Sequence, residues 1–327
     1  MADDKTVRSF LLQVARSPVD EIRRALAGSP ELANAVGPHP FWGGRPQALH
    51  VAVENKRRDV FELLLEAGAD PAGTNDRYDH WSPLMIAIHG GQDAMRDRLI
   101  PLGAPVGLPE ALLLGDDARV EELLRPGRPA LPQNVPNGGS LLNFARTPFA
   151  IDRLIELGVP LELPNRWGVT PVQSLSRLGP SAQAHVKQLI AHGAQATPDV
   201  YARLDDREAL ALLLNADPGL AASESLFMAA VESGRTALVE WLLTRGANVN
   251  SRADGQSRQT ALHAAAWNGD LPMVRLLVES GADISARDEE HDSTPRQWAA
   301  TAIRFRNDSR PQQAVDYLAG RGAGADE

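Results

Sequence analysis

The chain has 327 residues, a formal net charge of −9, a hydrophobic fraction of 43% and a charged fraction of 23%, the balance of an ordinary globular protein. No stretch reaches the roughly 18 consecutive apolar residues of a membrane span, the acidic start Met1-Ala2-Asp3-Asp4-Lys5 and the amphipathic segment after it argue against secretion by a signal peptide, and the absence of cysteine excludes disulfides, thiolate nucleophiles and Cys-type zinc sites. The negative charge argues against broad nucleic-acid binding, which needs basic residues to displace counterions from phosphates. The 33 basic residues include only three lysines, a skew that points to a GC-rich, bacterial-type genome.

In chain order, an opening segment (1–36) carries Val19-Asp-Glu-Ile-Arg-Arg-Ala-Leu26 and then Ser29-Pro-Glu-Leu32. Residues 37–107 hold Ala48-Leu-His-Val-Ala52 followed by Val60-Phe-Glu-Leu-Leu-Leu-Glu-Ala-Gly-Ala-Asp70, and then Ser82-Pro-Leu-Met-Ile-Ala-Ile-His-Gly-Gly91, which closes at Leu99-Ile-Pro-Leu-Gly-Ala104. Residues 108–222 are less regular, with copies at Ser140-Leu-Leu-Asn-Phe-Ala145 and Gly168-Val-Thr-Pro171. Order returns over 223–287 with Ser225-Leu-Phe-Met-Ala-Ala230 and Thr260-Ala-Leu-His-Ala-Ala-Ala-Trp-Asn-Gly269. A last copy over 288–319 starts at Ser293-Thr-Pro295, and 320–327 reads as a disordered tail. In the three clearest units the first leucine precedes the closing glycine by 19 residues: Leu49 to Gly68, Leu84 to Gly103 and Leu262 to Gly281.

These residues resemble the ankyrin repeat, whose pattern is T-P-L-H-x-A-A-x-x-G, a second helix, then L-L-x-x-G-A-D. A period of about 33 residues leaves room for about ten units. The resemblance implies an all-α solenoid of stacked helix pairs with short β-hairpin fingers, one array over 1–319. Residues 1–36 and 288–319 then serve as its N- and C-terminal caps. Small alanines let neighbouring first helices approach, leucines of the second helices fill the layer between units, and each pair buries its apolar face only by stacking on the next. The prolines Pro30, Pro129 and Pro218 lie 99 and 89 residues apart and mark a three-unit block copied about three times. The short runs from Gly103 to Leu112 and from Gly193 to Tyr201 predict absent or collapsed fingers, and the proline-rich run Pro126 to Ser140 predicts an irregular loop.

By the same resemblance, fingertips and the exposed ends of first helices line a groove that holds a protein partner. On this sequence that surface takes in Phe41, Trp42, Arg45, Arg77, Tyr78, Asp79, Trp81, His89, Arg166, Trp167, Trp267 and Asn268. Large aromatics near arginines are enriched among interface hot spots; the competing reading is that these rings merely stiffen the fingers. Trp241 and Trp298 read as packing residues. His50 and His263 occupy the T-P-L-H position, where the family's imidazole ties finger to helix. Asp79, His80 and His89 could bring a carboxylate and two imidazoles together, a weaker reading as a metal site. His185 and His192 read as surface residues on one helix. The acid pairs Asp116-Asp117 and Asp205-Asp206 read as helix N-caps, and the run Asp288-Glu-Glu-His-Asp292 as a solvated tip.

No G-x-S-x-G elbow, Walker A loop or G-x-G-x-x-G turn is present in the sequence. The expectation is therefore a non-enzymatic, monomeric, cytoplasmic interaction scaffold without cofactor or metal, binding a protein and neither nucleic acid nor membrane. An enzyme or ligand-binding protein with a pocket in the irregular middle, 108–222, is the alternative.

Overall fold

The computed structural model describes residues 2–41, 43–73, 78–125, 131, 135–306 and 308–322. Two of the twelve candidate surface residues, Trp42 and Arg77, lie outside the described residues, as do positions 323–327 of the expected tail. The chain divides into two compact units, one of residues 1–174 with 187–194 and one of residues 175–186 with 195–327.

In the first unit, helices pair as α1 (Asp4–Arg16) with α2 (Val19–Gly28), α3 (Ala48–Glu54) with α4 (Arg58–Glu66), α5 (Pro83–His89) with α6 (Asp93–Leu99) and α7 (Leu108–Leu114) with α8 (Asp117–Leu123). The first unit continues with α9 (Pro148–Glu156), and the residues of α10 (Pro171–Ser176) and α11 (Gln183–Ala191) are divided between the two units. The first helices stack in the order α1, α3, α5, α7. Their composition allows this: Ala48 through Val53 are all buried in α3, because small and β-branched side chains leave room for a neighbour on either side. The second helices are one-sided instead. In α4 only Val60, Phe61, Leu63 and Leu64 are buried, the spacing of a single helical stripe.

The second unit repeats the scheme with α12 (Pro198–Leu204) and α13 (Arg207–Ala216), α14 (Glu224–Glu232) and α15 (Thr236–Leu243), α16 (Ala261–Asn268) and α17 (Leu271–Glu279), α18 (Pro295–Arg306) and α19 (Pro311–Gly320). One continuous core joins Ala202 to Leu318 there, and another joins Val7 to Ala104 in the first unit. Several second helices end on a left-handed glycine, as at Gly68 (φ 83°) and Gly281 (φ 91°), and the next amide donates back to the last turn, Ala69 to Leu64 and Ala282 to Leu277, both at 2.9 Å; α2 and α13 run instead into Ser29 and Asp217.

Two junctions carry no finger. Only Ala104–Gly107 separates Gly103 from α7, and only Ala194–Thr197 separates Gly193 from α12, as the short spacings predict. The fingers that exist are tight loops more than ladders: one isolated bridge, Arg252 to Thr260, is present among the described residues. Isolated cross-loop bonds close the others, such as Gly37 N–H to the Pro46 carbonyl at 3.3 Å with His39 N–H to the Gly44 carbonyl at 3.0 Å, and Asn165 N–H to the Val169 carbonyl at 2.9 Å. The copy at Ser140–Ala145 departs from expectation. It forms a short 3-10 turn, Leu141–Phe144, and no α-helix. Thr147 caps the next helix through Ala150 N–H, with Pro148 at its first position, so the second helix begins before the first has completed two turns.

Candidate functional site

The absent fourth finger shapes the site. Where it would stand, the loop of the fifth helix pair reaches back to the third finger. Asn137, in the left-handed region at φ 64°, donates its backbone N–H to Asp79 Oδ2 at 2.8 Å and accepts the Trp81 indole N–H on Oδ1 at 3.1 Å. Arg166, from the finger that precedes α10, donates its backbone N–H to the Asn137 carbonyl at 2.9 Å and pairs its guanidinium with Asp79. Gly139 makes this approach possible: a Cβ there would sit 2.7 Å from Asn143 Nδ2 and 3.0 Å from Asn165 Cβ. Residues 58 and 87 positions apart in sequence are thus joined side by side.

The result is an open groove of about 910 Å³ lined by Gly43, Gly44, Glu54, Tyr78, Asp79, Trp81, Ile86, His89, Asn137, Arg166 and Trp167. Tyr78 is buried, its hydroxyl donating to Glu54 Oε1, and it forms a wall of the groove. The other Glu54 oxygen accepts His39 Nε2–H at 3.0 Å, because His39 Nδ1 is already accepting the Phe41 amide. The His39 ring in turn stacks on Tyr78 with centroids 6.0 Å apart. Trp81 is half-buried, with ring centroids 5.5 Å from His89 and 6.1 Å from Phe144. Trp167 is the exposed anchor at 64% exposure, held by the Arg166 guanidinium 4.9 Å from its ring centroid and by its amide on Asn165 Oδ1.

Electrostatics follow from burial. Loss of solvent holds the His89 imidazole below its usual range, and nearby Arg146 pushes it the same way. Arg146 is itself lowered to about 10 by burial, its guanidinium donating to the Asn143 and Ala145 carbonyls. His50, wholly buried, is lowered to about 4 because desolvation outweighs its hydrogen bonds. It accepts Gln47 N–H on Nδ1 and donates Nε2–H to the Trp81 carbonyl at 3.1 Å, so it fastens α3 to the finger that carries Trp81. His263 does the same in the second unit, accepting from Thr260 and donating to the Ser293 carbonyl at 2.9 Å. Asp116 and Asp206 cap α8 and α13 through the amides of Arg119 and Ala209.

Of the predicted surface residues, the structure gathers Tyr78, Asp79, Trp81, His89, Arg166 and Trp167 in this groove. Phe41 and Arg45 engage α1 instead. The Phe41 ring lies 4.4 Å from the Arg16 guanidinium, and Arg45 makes two 2.7 Å bonds to Asp4. Trp267 and Asn268 belong to the other unit, at the end of α16. Asp79, His80 and His89 form no metal-ligand cluster among the described residues. His192 is exposed and contacts Asp152 Oδ1 at 2.9 Å, and His185 is half-buried. Trp241 is half-buried, with one side on the core and Arg245 3.8 Å over its ring. The acidic run is no simple solvated tip: Asp288 is 2% exposed and accepts from Ser293 N–H, His291 N–H, His291 Nδ1–H and the Trp298 indole. The sequence missed Asn137, whose only signal was its place before Gly138-Gly139 in a loop of prolines.

Among the described residues no helix is long and apolar enough to cross a membrane. Residues 199–288 match the family of ankyrin repeats in three copies, and residues 48–76 match a single ankyrin repeat. The B-cell lymphoma 3 protein homolog of Mus musculus is 38% identical over 96 residues, 29% of this chain and 18% of that protein. Ankyrin repeat and SOCS box protein 6 of Homo sapiens is 42% identical over 69 residues, 21% of this chain and 16% of that protein. The chain thus spans less than a fifth of either relative. The solved ankyrin repeat domain of Bcl-3 aligns over 91% of this chain and 97% of its own at 19% identity, with a TM-score of 0.25, too low to equate the two arrangements. With matched repeats in both compact units and helix pairs of the same design on either side of them, the chain is an ankyrin-repeat protein.

Proposed function

We propose that the chain is a non-enzymatic interaction module that holds a segment of a protein partner in the groove between the third and sixth fingers. The observation that carries this reading is Trp167, 64% exposed yet fixed by Arg166 and Asn165 beside a groove floored by Trp81. An exposed, preordered tryptophan next to an arginine is the composition of a binding hot spot, and its rigidity lowers the ordering cost of association. The reading also fits the general role of ankyrin repeats as protein-interaction folds. A single array of ten helix pairs, a monomer and a cytoplasmic location belong to the same proposal. The irregular middle contributes Asn137, Arg166 and Trp167 to this open groove, and on this reading that is its purpose.

The test is a photo-crosslinking residue placed at position 43, a groove-lining glycine where a side chain has open space and Trp167 stays in place, with Leu212 (66% exposed, in the second unit) as the control position. The reading expects one protein adduct at 43 that is absent at 212 and lost when Trp81→Ala is added. Equal adducts at both positions, or adducts indifferent to Trp81, would remove the groove as the binding site.

A further inference from the structure

The second unit holds a smaller cavity of about 410 Å³, lined by Trp267, His291, Ser293, Trp298, Thr301 and Phe305. Trp298, Thr301 and Phe305 stand three and four residues apart on one face of α18, and Trp267 closes the corner from the end of α16. The two indoles meet at 71° with centroids 5.7 Å apart, two aromatic walls set nearly at right angles. Phe305 is 80% exposed, the most exposed large apolar side chain described.

Elsewhere among the described residues four aromatic faces are covered by the chain's own cations: Arg16 over Phe41, Arg166 over Trp167, Arg245 over Trp241, and Arg275 and Arg321 at Tyr317. Among the described residues no such cation stands over Trp298 or Phe305. Behind the Trp298 wall sits the Asp288 carboxylate, which accepts the indole N–H at 3.2 Å. Burial alone would raise its pKa, but its four donors outweigh that and hold it at about 2. A carboxylate on the indole N–H feeds electron density into the ring and deepens the negative potential of its face. The exposed acids Glu289, Glu290 and Asp292 follow on the same turn, with Arg258 3.9 Å from Glu289 and Arg287 3.6 Å from Asp292.

We infer that this cavity is a binding site for a quaternary ammonium group, caged by Trp267, Trp298 and Phe305 and backed by Asp288. A tetraalkylammonium ion suits such walls because its charge is spread over a greasy surface that loses little hydration on entering an aromatic corner. The group could be carried by a small soluble molecule such as choline or by a trimethylated lysine side chain.

The test is calorimetric titration of the full chain at low salt with choline, with tetramethylammonium, and with 3,3-dimethylbutanol, the uncharged analogue that has carbon in place of nitrogen. Saturable binding is expected for both cations, with the uncharged analogue and the Phe305→Ala variant each weaker by roughly fivefold or more. Phe305 is so exposed that its removal leaves folding intact. Asp288→Asn, checked by circular dichroism, should weaken the cations and leave the uncharged analogue unaffected. A trimethyllysine peptide set against its unmodified twin separates the sources: peptide binding tenfold tighter than choline assigns the site to a modified side chain, and equal or weaker binding assigns it to the soluble cation. An uncharged analogue that binds as tightly as choline, a Phe305→Ala variant with unchanged affinity, or no saturable binding would each overturn the assignment.

Discussion

Two neighbouring junctions of the first unit solve the same packing problem in opposite ways. Between α3 and α5, His50 donates across to the Trp81 carbonyl, and a finger stands above the helices. Between α5 and α7 the position equivalent to His50 is Met85, with no imidazole and no finger carbonyl to receive one. Ser82 Oγ donates instead to the buried Glu110 carboxylate at 2.9 Å. The helix layers beneath are alike, with Leu49, Leu84 and Leu112 all essentially fully buried. What differs is the space above them. Removing one finger frees the third finger to meet the loop of Asn137 and the finger of Arg166, and that meeting makes the groove. Core packing and groove construction are therefore separable in this fold, and each can be broken without the other.

The largest effects should fall on the shared layer. Leu84→Ala and Leu112→Ala should each cost roughly 2–5 kcal/mol in urea unfolding, with no systematic difference between the two junctions. A large asymmetry would show that the finger contributes to core packing after all.

The next test uses pH, because the two junctions respond with opposite signs. The His50 pKa is lowered to about 4, so between pH 6.5 and 4 the unfolded chain binds more protons, and stability falls as the solution is acidified. The loss is on the order of 3 kcal/mol by pH 4. The Glu110 pKa is raised, chiefly by burial, so the folded chain holds its proton longer and this group's contribution grows as pH falls toward 4.5. Thermal unfolding of His50→Gln should therefore show a shallower acid loss than wild type, and Glu110→Gln a steeper one. Parallel profiles for both variants would contradict the two-junction account.

Ser82→Ala should cost about 1 kcal/mol, through the lost cap on the Met85 amide and the bond to Glu110. Trp167→Ala should change stability by less than about 0.5 kcal/mol, as expected of an exposed side chain, while removing the anchor proposed for partner binding.

The helix pairs, the glycine caps, the two missing fingers and the roles of His50 and His263 were legible in the sequence. Each is written in local spacing: an apolar stripe, a glycine after a leucine run, or a count of residues between them. The groove was only half legible. Tyr78, Asp79, Trp81, Arg166 and Trp167 stand out as residue types at finger positions, but their meeting depends on contacts 58 and 87 residues apart that no local period encodes. Phe41 and Arg45 look like groove residues by position, and only the fold reveals that Arg16 and Asp4 hold them. Asp288 sits in a run of charges whose pattern says solvent, yet one carboxylate turns inward because four donors converge on it.

The central claim is that the absent finger lets Asn137 hold Trp81 across the gap, and the Trp81 indole proton reports on that contact directly. In 1H–15N spectra, with the resonance assigned by Trp81→Phe, Asn137→Ala should shift the Trp81 indole signal and speed its exchange with water, and Arg166→Ala should shift it less. An indole signal unmoved by Asn137→Ala would contradict the account, because the groove would then lack the contact that joins its two sides.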